Sequence, residues 1–151
     1  MIYTLKRNYF DDEIKSDNMF FCEYNEITLD TKNIFSIEAY QDAENNDIYG
    51  LRINGIKYPM FNRKYIEWLV YFEETDKTKR DFLGRIYEYG YDAVAYPCIS
   101  EQEQAWYNDY VDAVSDRANN EFIYIEKQQE KIIKIMKSES KQYGRHIKEK
   151  N

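Results

Sequence analysis

The sequence predicts a single α+β domain with a strand-rich N-terminal half and a largely helical C-terminal half. In the first sixty residues, β-branched and aromatic residues alternate with polar ones in runs separated by Asp, Asn and Gly. After Pro59 the apolar residues recur every three or four positions, which is the period of a helix. We place the domain at residues 1–143 and predict a frayed basic tail at 144–151.

Four strands are predicted in the first half, at residues 2–5, 19–29, 33–40 and 47–58. The last of them contains Asn54-Gly55, a dipeptide that favours a two-residue hairpin turn. We therefore expect this segment to fold back on itself as a hairpin.

Two helices follow the predicted strands. Asn62 is a plausible N-cap for the first, which has an apolar face at three- and four-residue spacing made of Tyr65, Trp68, Leu69 and Phe72. The second is predicted to begin near Thr78, which forms a weak capping box with Asp81, and to end at Gly90. Phe82, Leu83 and Ile86 would be its buried side chains.

The second half contains two short apolar runs that we interpret as further strands. Residues 92–96 are continuously apolar after Asp92, as in a central strand, and Pro97 would end the run. Residues 122–125 form the other strand.

Helices are predicted around these two strands. Ser100 and Glu103 make a capping box for a helix that Asn119-Asn120 would break. A closing amphipathic helix would follow the last strand and end at Gly144.

Composition and charge limit the possible functions. The 151 residues suffice for one domain with its own core. A net charge of -7 argues against direct DNA binding, since nucleic-acid binders cluster Lys and Arg against phosphates. The acidity lies in the body, because residues 125–151 contain eight basic and four acidic residues. No apolar run approaches the ~20 residues that cross a bilayer, so no membrane association is expected.

Several common sites lack their ligands in this chain. Cys22 and Cys98 have no metal-type spacing, which favours a reducing, cytoplasmic setting and no metal centre. The only histidine, His146, falls in the predicted tail, which argues against Ser-His-Asp, Cys-His and histidine-zinc sites. The five glycines form no phosphate-binding loop.

Two motifs carry a resemblance to a known family. Residues 90–97 read Gly-Tyr-Asp-Ala-Val-Ala-Tyr-Pro, and residues 119–126 read Asn-Asn-Glu-Phe-Ile-Tyr-Ile-Glu. In this order they resemble the second half of the ADP-ribosyltransferase superfamily, above all its RES-domain toxins and phage polyvalent-protein transferases, over about residues 78–135. The resemblance implies a split sheet in which one strand directly follows a helix and a second strand begins with a glutamate.

The resemblance also implies an activity. The protein would be a bacterial or phage toxin-like effector that cleaves NAD, its substrate, or transfers ADP-ribose to a protein or nucleic-acid acceptor. Glu121 would be catalytic, because a carboxylate beside the ribose stabilises the positive charge that develops as the N-glycosidic bond breaks. Phe21 and Tyr96 would form an aromatic shelf for nicotinamide, with Cys98 at the position after Tyr-Pro in the RES pattern.

The first strand would complete the NAD site. The family has Tyr-(Arg or His)-Gly where this chain has Tyr3-Thr4-Leu5, so Tyr3 matches and the cation does not. Arg7 lies on the same face of an alternating strand as Tyr3 and is the candidate replacement.

A second hypothesis assigns the protein no catalysis. Small acidic proteins of phage or mobile elements can inhibit a host nuclease or defence protein by presenting carboxylates in place of phosphates, as anti-CRISPR or anti-restriction inhibitors do. Asp109, Asp112 and Asp116 would lie in one row on a helix, in steps of about 4.5 and 6 Å, near the ~7 Å spacing of phosphates along a strand. The sequence leaves both hypotheses open.

Overall fold

The computed structural model describes residues 1–8 and 26–143, with side chains as far as residue 140. The chain divides into two compact units, one formed by Met1–Asn62 with Glu121–Asn151 and the other by Arg63–Asn120. The described part combines two small sheets with helices, which confirms the predicted α+β class. The single-domain assignment stays a prediction.

The first sheet of the first unit is an antiparallel pair. Strand β1 (Ile2–Lys6) pairs with β2 (Glu26–Asp30), with Tyr3 opposite Leu29. The predicted strand at 2–5 is therefore confirmed; of the one predicted at 19–29, residues 19–25 lie outside the described part. Side chains alternate as the sequence suggested, since Leu5 is buried while Ile2 is exposed.

The second sheet is a three-stranded antiparallel meander of β3 (Ile37–Gln41), β4 (Ile48–Ile53) and β5 (Ile56–Asn62). The hairpin predicted at Asn54-Gly55 is confirmed, and both residues have positive φ, 53° and 82°, as a type I′ turn requires. Gly50 on β4 is required by close packing, because a Cβ there would lie 2.2 Å from the carbonyl oxygen of Tyr58.

Helices α1 (Arg63–Phe72) and α2 (Lys77–Tyr89) belong to the second unit. The side chain of Asp76 caps α2 by accepting a hydrogen bond from the Lys79 amide, so the predicted cap at Thr78 is wrong by two residues. The predicted end at Gly90 is confirmed by its φ of 88°. The expected core of α2, Phe82, Leu83 and Ile86, is buried.

The strand predicted at residues 92–96 is wrong. The chain forms a short helix there, α3 (Tyr91–Ala95), which has no buried residue. A short apolar run fits a helix as well as a strand, and alanine favours the helix. The hydroxyl of Tyr91 donates to Gln104 at 2.6 Å, and its ring stacks on Tyr107 at 4.2 Å.

The strand predicted at residues 122–125 is also wrong, because this segment lies inside the 43-residue helix α4 (Glu101–Tyr143). The capping box of Ser100 and Glu103 begins α4 as predicted, with both reciprocal bonds present. Asn119-Asn120 does not break the helix. Asparagine weakens a helix by only ~0.5 kcal/mol, and α4 contains no proline or glycine. The predicted stop at Gly144 lies outside the described residues.

The second half of α4 contributes to the core of the first unit. Ile125, Ile132 and Met136 are buried at helical spacing. Farther along, buried Glu139 accepts hydrogen bonds from the Thr31 hydroxyl and from the amino group of Met1, the latter at 3.1 Å. With both predicted C-terminal strands helical, the expected ADP-ribosyltransferase-type split sheet is not confirmed. No helix in the described part is long and apolar enough to span a bilayer.

Candidate functional site

Glu121, the carboxylate that the sequence singled out, lies in the middle of α4 and is fully buried in the first unit. The sequence motif placed it at the start of a strand. Its position follows instead from the helical period, since buried Ala118 and Ile125 stand three residues before it and four after it. A glutamate thus occupies a position on the apolar stripe of the helix.

The buried carboxylate has one hydrogen-bond donor among the described residues. The side-chain amide of Asn8 donates to Oε1 of Glu121 at 2.7 Å. The second oxygen, Oε2, is also buried and has no hydrogen-bond partner in this part of the chain. An ionised carboxylate in that state would lose hydration without full compensation, which favours the protonated form.

The protonation of Glu121 follows from this environment. Burial raises the pKa of Glu121 from its ordinary 4.5 to about 7, against the smaller opposing effects of the Asn8 hydrogen bond and the Arg7 charge. Tyr124 lies one helical turn later, and its hydroxyl donates to the backbone oxygen of Lys6 at 2.6 Å. Burial, and then the charge of Glu121, raises the pKa of Tyr124. Glu121 therefore titrates near neutral pH, where a group can both give and take a proton.

Of the residues predicted to bind NAD, the structure places Tyr3 and Arg7 in the same unit as Glu121. Arg7 directly follows β1, is 8% exposed, and acts electrostatically on Glu121, which confirms that it shares the inward face with Tyr3 and Leu5. The hydroxyl of Tyr3 donates to Gln128 Oε1, seven residues beyond Glu121 on α4.

The remaining predicted residues of the NAD site are placed differently. Tyr96 and Cys98 belong to the second unit and are both exposed, Tyr96 to 84%. Neither lies on a strand, because the residues that follow α3 form a bend at Tyr96 and have no regular structure at Cys98. Phe21 falls outside the described residues.

The aspartates of the second hypothesis lie as the sequence suggested. Asp109, Asp112 and Asp116 are all exposed on α4, while Tyr110 and Val114 of the same helix are buried. The three carboxylates therefore share the outward side of one continuous helix. We call them the aspartate row.

The charge around the aspartate row is one-sided. Residues 86–116 contain seven carboxylates and no Lys or Arg. The nearest cation in sequence, Arg117, is engaged elsewhere: its Nη2 donates to Oε2 of Glu73 at 2.5 Å. Across residues 63–120, twelve acidic residues face seven basic ones. The second unit thus carries a net negative charge. Because Arg117 is paired with Glu73, it does not neutralise the aspartate row.

Sequence reasoning missed Asn8, Tyr124 and Gln128 as neighbours of the buried carboxylate and the first strand. Tyr124 and Gln128 follow Glu121 at three and seven residues, so a helical interpretation of this segment would have put all three on one face. Nothing local in the sequence connects Asn8 to a residue 113 positions away.

Comparison with known proteins leaves the family open. No family model, curated protein or solved structure matches the chain. No three His, Cys, Asp or Glu side chains within residues 1–8 and 26–140 are arranged to hold a metal ion. Two features therefore stand as candidate sites on their own geometry: the buried centre at Glu121 and the aspartate row.

Proposed function

We propose that this protein acts by binding rather than by catalysis. It presents the aspartate row to the basic nucleic-acid cleft of a host nuclease or defence enzyme and excludes the nucleic acid. The observation that carries this proposal is the exposure of Asp109, Asp112 and Asp116 along one side of a continuous helix in a segment that lacks cations.

The helix supports phosphate mimicry through its geometry. Side chains three and four residues apart on a helix lie about 5–6 Å from one another, so neighbouring carboxylates of the row are somewhat closer together than the ~7 Å between successive phosphates of a strand. A regular row of like charges gives a stronger field than scattered ones, and a basic cleft with low-dielectric walls focuses that field. Association with such a cleft is therefore fast and sensitive to salt.

The basic part of α4 limits the surface that mimics phosphates to the second unit. Lys127, Lys131, Lys134 and Lys137 are exposed on the portion of α4 that belongs to the first unit. The basic cleft of a nucleic-acid enzyme would repel these lysines, because both carry positive charge. The proposed binding surface therefore ends near Asp116.

Cleavage of a labelled DNA duplex by purified nucleases tests the proposal. The panel contains a restriction endonuclease and a CRISPR-associated nuclease with its guide RNA. We expect the protein to inhibit at least one of them, excess duplex to relieve the inhibition, and an Asp109→Lys, Asp112→Lys, Asp116→Lys variant to lose it. Unchanged cleavage by every enzyme at a large excess of the protein contradicts the proposal.

A control variant separates the row from overall acidity. Glu44, Glu126 and Glu130 are also exposed but lie in the first unit. Reversing these three to lysine changes the net charge by the same amount as reversing the row. Inhibition should survive in the control, and equal loss in both variants would show that only net charge matters.

NAD cleavage is a second candidate, because the first unit contains Tyr3, Arg7 and Glu121, and the pKa of Glu121 is raised to about 7. Two observations count against it. Both motif segments are helical, and the side chain of Glu121 is fully buried, whereas a carboxylate that stabilises a ribosyl cation must touch the ribose. Nicotinamide release from NAD that is lost in Glu121→Gln would favour this candidate. Release no higher than in buffer for both proteins would remove it.

A further inference from the structure

The outward side of α4 changes the sign of its charge along the helix. The aspartate row lies in the part of α4 that belongs to the second unit. Three exposed lysines, which we call the lysine row, lie in the part that belongs to the first unit: Lys127, Lys131 and Lys134. With 3.6 residues per turn, all six positions fall within about 100° of the helix circumference. One stripe of α4 is therefore acidic in its first half and basic in its second.

The two rows have no partners of opposite charge within one copy of the protein. In the described part of the chain, none of the six side chains forms an ion pair. Glu126 and Glu130 lie among the lysines and are not paired with them either. Within the aspartate row, like charges stand three and four residues apart, a spacing that destabilises an isolated helix. Partners of opposite charge from another molecule would relieve this repulsion.

The helix dipole does not account for this division of charge. The dipole favours acidic residues in the first turn and basic residues in the last, and its effect falls off within that turn. Asp109 stands eight residues after the start of α4 at Glu101, and Lys134 stands nine residues before its end at Tyr143. Both rows therefore lie in the interior of the helix, where the dipole selects neither sign.

The two rows also have reversed spacings. The aspartates are separated by three and then four residues, and the lysines by four and then three. A second copy of α4 can run antiparallel to the first about a two-fold axis midway between Asp116 and Lys127. Three pairs of opposite charge then come into register between the copies, Asp109 with Lys134, Asp112 with Lys131, and Asp116 with Lys127. The symmetry forms the same three pairs again on the other side of the axis.

An exposed apolar residue lies near the centre of this stripe. Ile123 is 41% exposed and stands seven residues after Asp116 and four before Lys127. Because it lies within two residues of the two-fold axis, the Ile123 side chains of two antiparallel copies are separated by only about 4.5 Å along the helix direction. Their contact removes apolar surface from water, which favours association independently of charge.

We propose that the protein forms a two-fold dimer in which α4 of one copy packs antiparallel against α4 of a second copy. The aspartate row of each copy contacts the lysine row of the other. A parallel arrangement would place aspartates against aspartates and lysines against lysines, so charge selects the antiparallel one. Since each exposed ion pair contributes little and is screened by salt, the dimer is weak and sensitive to ionic strength.

The dimer covers the aspartate row and so regulates the surface that we assign to nuclease binding. This consequence rests on the proposed function, whereas the dimer itself does not. Only the dissociated protein would then inhibit a nuclease, and a variant with a reversed lysine row should inhibit at a lower protein concentration than the wild type. Dimerisation without inhibition of any nuclease contradicts the proposed function and leaves the dimer established.

Sedimentation velocity of the whole protein tests the dimer in the absence of any nuclease. We expect a concentration-dependent dimer at low salt and a monomer in about 1 M salt, where the Debye length is about 3 Å. Monomers alone at low salt, up to about 0.2 mM protein, overturn the proposal, because a micromolar dimer would be formed there. A dimer of equal affinity at both salt concentrations also overturns it.

Charge reversal identifies the contact surface, with circular dichroism to confirm that each variant is folded. Reversing the aspartate row to lysine, or the lysine row to aspartate, should weaken the dimer at least about a hundredfold, since all six pairs become like-charged. A control reverses three exposed carboxylates of the second unit that lie outside α4, Asp81, Glu88 and Asp92. It changes the net charge as much as reversal of the aspartate row and should keep the dimer. Equal weakening in the control overturns the proposal.

A mixture of the two reversed variants gives the sharpest result. One has lysines at all six positions and the other has aspartates, so each should be monomeric alone and the two should dimerise together. From a net charge of -7, the reversals add or remove six charges and leave -1 and -13, so the two variants do not attract each other through net charge. If the folded variants do not associate under conditions in which the wild type dimerises, the proposal is wrong.

Discussion

The side-chain amide of Asn8 donates a 2.7 Å hydrogen bond to Oε1 of Glu121, and this bond joins the end of the first strand to the middle of the longest helix. It leaves the buried Oε2 of Glu121 without a donor in the described part of the chain. The stability of the first unit should therefore depend on the protonation of this carboxyl group.

The first prediction concerns pH. Since the folded-state pKa of Glu121 is raised to about 7 from 4.5, its favourable contribution is fully present below pH 4.5. That contribution is lost as the pH rises to about 7. At 1.36 kcal/mol per pKa unit, and with some of the cost relieved as the folded protein relaxes around the ionised carboxylate, we expect the free energy of unfolding to fall by about 1–3 kcal/mol across this range. Urea denaturation at a series of pH values measures the fall.

Two variants assign this pH dependence to Glu121. Glu121→Gln carries no titrating group, so its stability should change less between pH 4.5 and 8, and it should exceed the wild type at pH 8. Glu126→Gln, which changes an exposed carboxylate five residues later, should keep the wild-type profile. Identical profiles for Glu121→Gln and the wild type would show that this carboxyl group does not titrate in the folded protein.

The second prediction concerns the donor. Asn8→Ala removes the hydrogen bond to Oε1 and should cost about 1–3 kcal/mol, because a buried charged acceptor loses its partner. The loss should be greater at pH 8 than at pH 5, since the ionised carboxylate needs the donor more. Thermal denaturation at both pH values checks this. Asn46→Ala, at an exposed position on a turn, should have little effect at either pH.

The third prediction concerns the continuity of α4. Asn120 is exposed in the interior of the helix, so Asn120→Ala should be more stable than Asn120→Gly by about 1 kcal/mol, the difference in their helix propensities. Urea denaturation of the two variants gives the value. Equal stability would indicate the loop that the sequence predicted at this point.

Much of the N-terminal half could be predicted because its signals are local. The alternation around Leu5 and the Asn54-Gly55 turn each require a particular backbone conformation. The errors occurred at residues 92–96 and 122–125, where a short apolar run is compatible with a strand or a helix. For the second run the decisive information was the spacing of buried residues along the whole of α4.

The candidate site could be predicted only in part, because local patterns indicated some of its residues and its tertiary contacts leave no local pattern. Glu121 was selected through a motif whose assumed strand conformation was wrong, and its burial comes from the helical period instead. The inward face of Tyr3 and Arg7 followed from strand alternation alone. The contact with Asn8 depends on the tertiary fold, which no local pattern encodes.

The most direct test of the proposed function is the salt dependence of binding to a nuclease that the protein inhibits. We expect the wild type to bind much more weakly at high salt, because screening weakens contacts between exposed charges. At low salt the reversal of Asp109, Asp112 and Asp116 should weaken binding about tenfold to a hundredfold, at ~0.5–1 kcal/mol per charge, and flatten the salt dependence. Binding that is indifferent to salt and equally tight in the reversed variant would contradict the account.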